Sequence, residues 1–205
     1  ILHRAGLMGT IFYSTGDKLV EASHTTPEST EVQRLLREMV DSACRGVAME
    51  VSSHGLAQHR VTGVSFDVGI FTNLTQDHLD YHRTMEEYFA AKCLLFEQMD
   101  ADTSKEGTAI INLDDIYGDR IMKMRFGRLR RLTYGRGANA DFQAAEIRSD
   151  FNGTQFKLTF RERQFLVRIP LIGDFNVYNS VAAIAAGWAI GLNLREVVSK
   201  MADAP

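Results

Sequence analysis

Apolar runs of strand length alternate with helix-period stretches along the first two-thirds of the chain, a pattern that predicts parallel strands joined by helical crossovers. The strands are expected at Thr10–Ser14, Gly46–Val51, Asp67–Thr72, Thr108–Asn112 and Arg131–Tyr134. Between the first two, Val32, Leu35, Leu36, Met39, Val40 and Ala43 recur on one face of a 3.6-residue period, so Thr30–Ala43 reads as an amphipathic helix. A second helix is expected over Thr84–Met99, opened by a capping box of Thr84 and Glu87. A third should cover Ile116–Phe126.

Beyond Ala140 the pattern changes. Phe142–Ile147, Gln155–Phe160 and Gln164–Ile169 follow one another without an intervening helix. Asn152-Gly153 supplies a turn between the first pair, and Arg161-Glu162-Arg163 joins the second. These segments read as an antiparallel subsheet added to the parallel sheet. A helix-rich stretch from Asn176 to Met201, broken near Gly191, follows. The fold class is therefore α/β: a mostly parallel sheet flanked by helices, with a small antiparallel subsheet. The 205 residues can bury one sizeable core and suggest one domain.

Composition narrows the function classes. A net charge of −3 offers no basic field for nucleic acid, so substrate charge must be met by local groups. The longest apolar run, Val181–Leu192, is too short to span a membrane and contains Gly187 and Gly191. Two cysteines, Cys44 and Cys93, are too few for a disulfide framework and fit the reducing cytoplasm. The chain opens on Ile1-Leu2-His3 without a methionine and stops at Ala204-Pro205, so both ends look cut.

Ligands of open parallel sheets bind beyond the carboxyl ends of the strands. Glu50 lies at such an end, followed by Ser52-Ser53-His54-Gly55; Asp77, His78, Asp80 and His82 follow the next strand. If those two strands are neighbours, the polar clusters meet at one edge of the sheet. Glu50 sits inside Val47-Ala48-Met49-Glu50-Val51, where an unpartnered carboxylate is costly to bury, and a metal ion would resolve that cost. Lys92 interrupts the stripe Met85, Tyr88, Phe89, Phe96, Met99 where the period calls for an apolar residue. It can be read as a lysine snorkelling from the rim of the core. It can also be a desolvated amine with a lowered pKa, able to add carbon dioxide and present an anionic carbamate. Beside Glu50 and His78 the second reading is preferred, and the three together make a metal site. Thr26 before Pro27 suits a helix N-cap, and the same helix start, with Thr25, suits an anionic substrate. Gln58 and Arg60 supply an amide and a guanidinium nearby in sequence, and Asn176 and Asn179 can cap a helix or read the edge of a base.

Taken together, Thr25-Thr26-Pro27, Met49-Glu50-Val51-Ser52-Ser53-His54-Gly55-Leu56, Thr72-Asn73-Leu74 with Asp77-His78-Leu79-Asp80-Tyr81-His82, Ala90-Ala91-Lys92 and Gly173-Asp174-Phe175-Asn176-Val177-Tyr178-Asn179 resemble the Mur ligase family, specifically its tripeptide-synthetase branch. The resemblance implies an ATP- and Mg2+-dependent ligase joining an amino acid, diaminopimelate or lysine, to UDP-MurNAc-L-Ala-D-Glu through an acyl phosphate. It implies that Glu50 holds one magnesium and that His78 with carbamylated Lys92 completes a second site. Thr25, Thr26, Ser52, Gln58 and Arg60 would contact the UDP-sugar peptide, and Asn176 and Asn179 the adenine. Such a protein would be a cytoplasmic monomer of peptidoglycan synthesis, without nucleic-acid or membrane partners.

The departures from the family pattern define the expected domain. No Gly-x-x-x-x-Gly-Lys-[Ser/Thr] phosphate loop occurs here. The resemblance then makes residues 1–205 a central ATP-binding domain cut after that loop, with Ile1–Met8 in the helix that follows it. The uridine-binding and C-terminal domains would be absent, and the isolated piece inactive. Two competing functions are a folylpolyglutamate-synthetase-like ligase and a metal-dependent hydrolase built on a carbamylated lysine. The Ser-Ser-His-Gly-Leu and Leu-Asp-Tyr-His strings speak against the first. The lack of ligand spacing among His3, His24, His54 and His59 speaks against the second.

Overall fold

Short strands flanked by glycine begin the chain. The computed structural model describes residues 4–75 and 81–203. They fall into two compact units, one holding the described residues of 2–65 and 78–98, the other those of 66–77 and 99–205. In the first unit, β1 (Gly6–Met8), β2 (Phe12–Ser14), β3 (Leu19–Glu21) and β4 (Val47–Met49) form a sheet in the order β3-β2-β1-β4. Strand β1 runs antiparallel to β2 and parallel to β4. Helix α1 (Ser29–Asp41) buries Val32, Leu35 and Met39, as its period predicts, and Leu35 and Met39 pack with Met8 and Tyr13.

Gly6 leaves room for the Met39 side chain in that packing. A Cβ at this position would lie 2.4 Å from Met39 Sδ. The expectation of a helix over Ile1–Met8 is corrected here, since Gly6–Met8 is strand β1. Glycine costs about 1 kcal/mol in a helix relative to alanine, whereas the strand finds backbone partners on both sides.

The expected N-cap at Thr26 is also corrected. Helix α1 begins at Ser29 with Glu28 as its N-cap residue and no side-chain cap, because the Thr26 hydroxyl is used elsewhere. Helix α2 (Ser53–Ala57), too short to show a period, is capped by Ser52 Oγ, which accepts the Gly55 amide at 3.0 Å. At the start of α3 (Met85–Ala101), Thr84 Oγ1 accepts the Glu87 amide at 3.1 Å. The Glu87 carboxylate accepts from the Arg83 amide at 3.0 Å, one residue earlier than a complete capping box places it.

The second unit carries a six-stranded sheet in the order β10-β9-β8-β7-β6-β5. Strands β5 (Val68–Phe71), β6 (Thr108–Asn112), β7 (Arg130–Gly135) and β8 (Phe142–Asp150) are parallel. Strands β9 (Gly153–Phe160) and β10 (Arg163–Ile169) add the antiparallel part. Helices α4 (Ile116–Lys123), α5 (Asp174–Ala189) and α6 (Leu194–Lys200) complete the unit. Ile110, Tyr134, Phe142, Phe156, Leu158, Val181 and Ile184 are all buried in its core. All five residues of β6 are buried, as expected of a parallel strand covered on both faces.

The predicted α/β class holds, with one difference in layout. Strands β4 and β5 belong to different sheets, so the polar clusters at their ends are not brought together by strand pairing. Hydrophobic period marks which residues form a strand but not which strand lies beside it. Among the described residues no helix is long and apolar enough to cross a membrane.

Candidate active site

In the first unit, the segment leaving β4 is laced to the loop before α1. Thr26 Oγ1 donates to the Glu50 carbonyl and accepts the Ser52 amide, both at 2.9 Å. The Glu50 carboxylate is held from the other side. Its Oε2 accepts the Thr10 amide at 2.7 Å and the Thr10 hydroxyl at 2.6 Å. Thr10 Oγ1 lies 3.2 Å from Thr25 Oγ1. Glu50 is exposed and lies just past β4, so it is not a buried strand carboxylate and incurs no burial cost. What distinguishes it is orientation: one oxygen is pinned by Thr10, and Oε1 accepts no hydrogen bond from a described residue.

Arg60 extends the network. Its Nη1 donates to the Thr26 carbonyl at 2.8 Å and its Nη2 to Gln58 Oε1 at 2.6 Å. Nη2 also lies 2.9 Å from the Glu28 carboxylate, and the Arg60 side chain is largely covered while that of Glu28 is exposed. Gln58 Nε2 reaches Tyr81 Oη at 3.3 Å. Thr25, Thr26, Glu50, Ser52, Gln58 and Arg60 are thus joined in one constellation. Thr10 is the member that sequence reasoning missed, since its strand was drawn from Thr10 onward and no motif marked it.

Lys92 occupies the buried stripe of α3 between Tyr88, Phe89 and Phe96, all of them buried. Burial holds its amine below the usual lysine range, opposed in part by the negative charge of Glu50. Its Nζ lies 5.8 Å from the centre of the Tyr88 ring. His78, with Asp77 and Asp80, lies outside the described residues. His82 is buried and stacks on Tyr88 with ring centres 5.2 Å apart, within the packing of the unit. Among the described residues no three acidic, histidine or cysteine side chains converge as a metal cluster.

The second unit offers a separate set of polar groups at the carboxyl ends of β6 and β7. Asp114 Oδ2 accepts from Tyr178 Oη at 2.8 Å and from the Arg136 amide. Arg136 pairs with Asp174 at 2.8 Å and lies over the Tyr178 ring. Burial and then the hydrogen bond to Asp114 push the Tyr178 hydroxyl up to about 12. Asn176, in the first turn of α5, donates to the Ile172 carbonyl at 3.0 Å, and Asn179 is exposed. The Asp114–Tyr178–Arg136 cluster was not foreseen, although Asn112-Leu113-Asp114-Asp115 directly after a buried strand was a usable signal.

One unit carries a mostly parallel sheet flanked by helices, and the other an oriented carboxylate and a buried lysine of lowered pKa; the fold defines an α/β protein, and similar proteins identify its family. The Mur ligase middle domain matches residues 1–187, and the chain belongs to the Mur ligase family. It is 44% identical over 199 residues to a UDP-N-acetylmuramoyl-L-alanyl-D-glutamate–2,6-diaminopimelate ligase of Geobacter metallireducens, which covers 94% of this chain and 39% of that protein. A solved structure of a ligase of the same name superimposes with a TM-score of 0.89 at 30% identity, over 98% of this chain and 41% of that one. A MurF ligase from Thermotoga maritima, solved in complex with ADP, shares the fold with a TM-score of 0.63 at 15% identity, over 85% of this chain and 41% of that one. The chain therefore spans about two-fifths of the length of the relatives it matches.

Proposed function

We propose that residues 1–205 are the central domain of an ATP-dependent ligase that adds diaminopimelate or lysine to UDP-MurNAc-L-Ala-D-Glu in peptidoglycan synthesis. The phosphate loop, the uridine-binding domain and the C-terminal domain belong, on this reading, to flanking sequence. The constellation around Glu50 carries the proposal: it gathers Thr25, Thr26, Ser52, Gln58 and Arg60, the residues the family likeness implies for the UDP-sugar peptide. The diaminopimelate ligases among the relatives support the reaction class.

In this reaction the D-Glu carboxylate attacks the γ-phosphorus of ATP, giving an acyl phosphate and ADP. The amine of the incoming amino acid then attacks the acyl carbon; the new C–N bond forms, phosphate leaves, and the amine loses a proton. Arg60 is pre-oriented by Thr26 and Gln58, and an anionic substrate group can replace the exposed Glu28 on its free edge. Glu50, with Oε2 fixed by Thr10, presents Oε1 as a hard oxygen ligand, which fits Mg2+. Lys92 fits the second role, because an amine of lowered basicity has a larger neutral fraction. That neutral nitrogen adds to carbon dioxide, the N–C bond forms, a proton is released, and two anionic oxygens result. His78 joins Lys92 in the second site. Bound magnesium would offset the charge that builds on the transferring phosphoryl group. Asn176 and Asn179, at the start of α5, read the adenine. The soluble, cytoplasmic and monomeric character expected from the sequence belongs to the same proposal.

Lys92→Ala in the full-length protein tests the site. The variant should lose most of its ligase activity and regain part of it when short carboxylates such as acetate or formate are added, because they can supply the missing anionic oxygens. Activity equal to the parent's would remove Lys92 from the site.

A further inference from the structure

A groove in the second unit, unconnected with any motif of the ligase reading, carries a charge pattern opposite to that of the whole chain. It lies between the β9–β10 hairpin and the turn from α5 to α6, with a volume of about 460 Å³ and a lining that includes Phe160, Arg161, Arg163, Phe165, Trp188 and Arg195. That size lies within the small-molecule range of about 300–1,000 Å³. No acidic residue is among its lining, although the chain as a whole carries −3.

Three observations point to an anionic ligand with a flat ring. First, the arginines are uncommitted. Among the described residues, Arg161, Arg163 and Arg195, with the adjacent Arg130, form no ion pair, whereas Arg34, Arg37, Arg60 and Arg136 each hold a carboxylate. Second, the floor is aromatic and two of the cations lie over it. Arg161 is 4.9 Å from the Trp188 ring centre and 5.2 Å from that of Phe160, and Arg130 is 4.7 Å from Trp188. A guanidinium held over a ring by cation–π attraction keeps its N–H groups for a carboxylate or phosphate. Third, the hairpin holds Arg161 in place at a conformational cost. Arg161 and Glu162 have φ of 47° and 65°, the two-residue turn that asparagine and glycine normally fill. Two long charged side chains occupy positions where the backbone favours neither.

We propose that this groove binds a small nucleotide-like anion, a planar ring bearing a phosphate, with Arg161, Arg163 and Arg195 on the phosphate and the ring against the Trp188–Phe165 side. The site is distinct from the polar cluster at the start of α5. Trp188 lies ten residues beyond Tyr178 on the same helix, about 15 Å along its axis.

The chain contains a single tryptophan, so indole fluorescence reports on this groove alone. Adenosine monophosphate, adenosine and inorganic phosphate are titrated separately into the 205-residue chain once cooperative thermal unfolding shows that it folds on its own. The monophosphate should change Trp188 emission saturably, and adenosine and phosphate should each bind about tenfold or more weakly, as expected when charge-assisted bonds and stacking act together. The double variant Arg161→Ser, Arg195→Ser should weaken the monophosphate by at least a similar factor. A second variant, Arg161→Asn with Glu162→Gly, fits the turn better and should be more heat-stable while still losing affinity, which separates loss of the site from loss of the fold. The proposal is overturned by an emission that does not saturate, by equal binding of phosphate alone or adenosine alone, or by binding that survives either variant.

Discussion

Thr26 carries two hydrogen bonds with one hydroxyl, donating to the Glu50 carbonyl and accepting from the Ser52 amide. Its sequence context, just before a proline and a helix, pointed instead to a cap, because local signals cannot reveal a partner 24 residues away. Thr26→Val keeps the shape and removes both bonds, leaving two backbone groups short of partners. The expected loss is about 1–3 kcal/mol in urea unfolding, and an unchanged midpoint would show that the network is not held by this hydroxyl. Glu50 lacks the burial its apolar context suggests, because it lies just past β4 and is exposed. Lys92 was legible because a single cation in an apolar stripe is rare, and its lowered basicity follows from burial first, with Glu50 opposing. Asp100 illustrates the reverse direction. It accepts the amides of Gly127, Arg128 and Leu129 at 2.8–3.0 Å, which hold its carboxyl below the ordinary 3.8. A lowered folded-state value contributes stability that is fully present above 3.8 and is lost as pH falls through the folded value. Asp100→Ala should therefore be less stable than the parent at neutral pH, with the gap narrowing as the medium is acidified below 3.8. Denaturation midpoints across that range check it, and a gap independent of pH would contradict the assignment.

The longer elements were readable because their periods repeat over enough residues to stand out: α3, expected over Thr84–Met99, runs Met85–Ala101. Strands β1 and β3 and helix α2 were not, having only three to five residues each. The pairing of strands into two sheets was equally hidden, since adjacency is settled by helix packing and connection length rather than by period. Close approaches between elements leave a clearer mark in the form of glycine. At Gly118, in α4, a Cβ would lie 1.8 Å from the Asn112 carbonyl oxygen at the end of β6. Backbone cannot yield as a flexible side chain can, so Gly118→Ala must displace α4. The expected cost is about 1–3 kcal/mol, read as a lower melting temperature. A variant as stable as the parent would mean that α4 has slack against β6.

The whole chain belongs to the Mur ligase family and spans about two-fifths of the length of the relatives it matches. The family was visible in motif strings that survive in order along the chain, whereas the expected helix over Ile1–Met8 came from likeness alone and gave way to strand β1. On the proposed function, the oriented Glu50, the buried Lys92 and the Arg60 network are parts of a site that activates a carboxylate only when an amine is ready to take it. The most direct measurement is ADP release by the full-length protein, with UDP-MurNAc-L-Ala-D-Glu and the amino acid supplied singly and together. Sustained release should require both, with amide product formed in step with ADP. Sustained release with neither substrate present, or hydrolysis of simple amides without ATP, would contradict the ligase assignment.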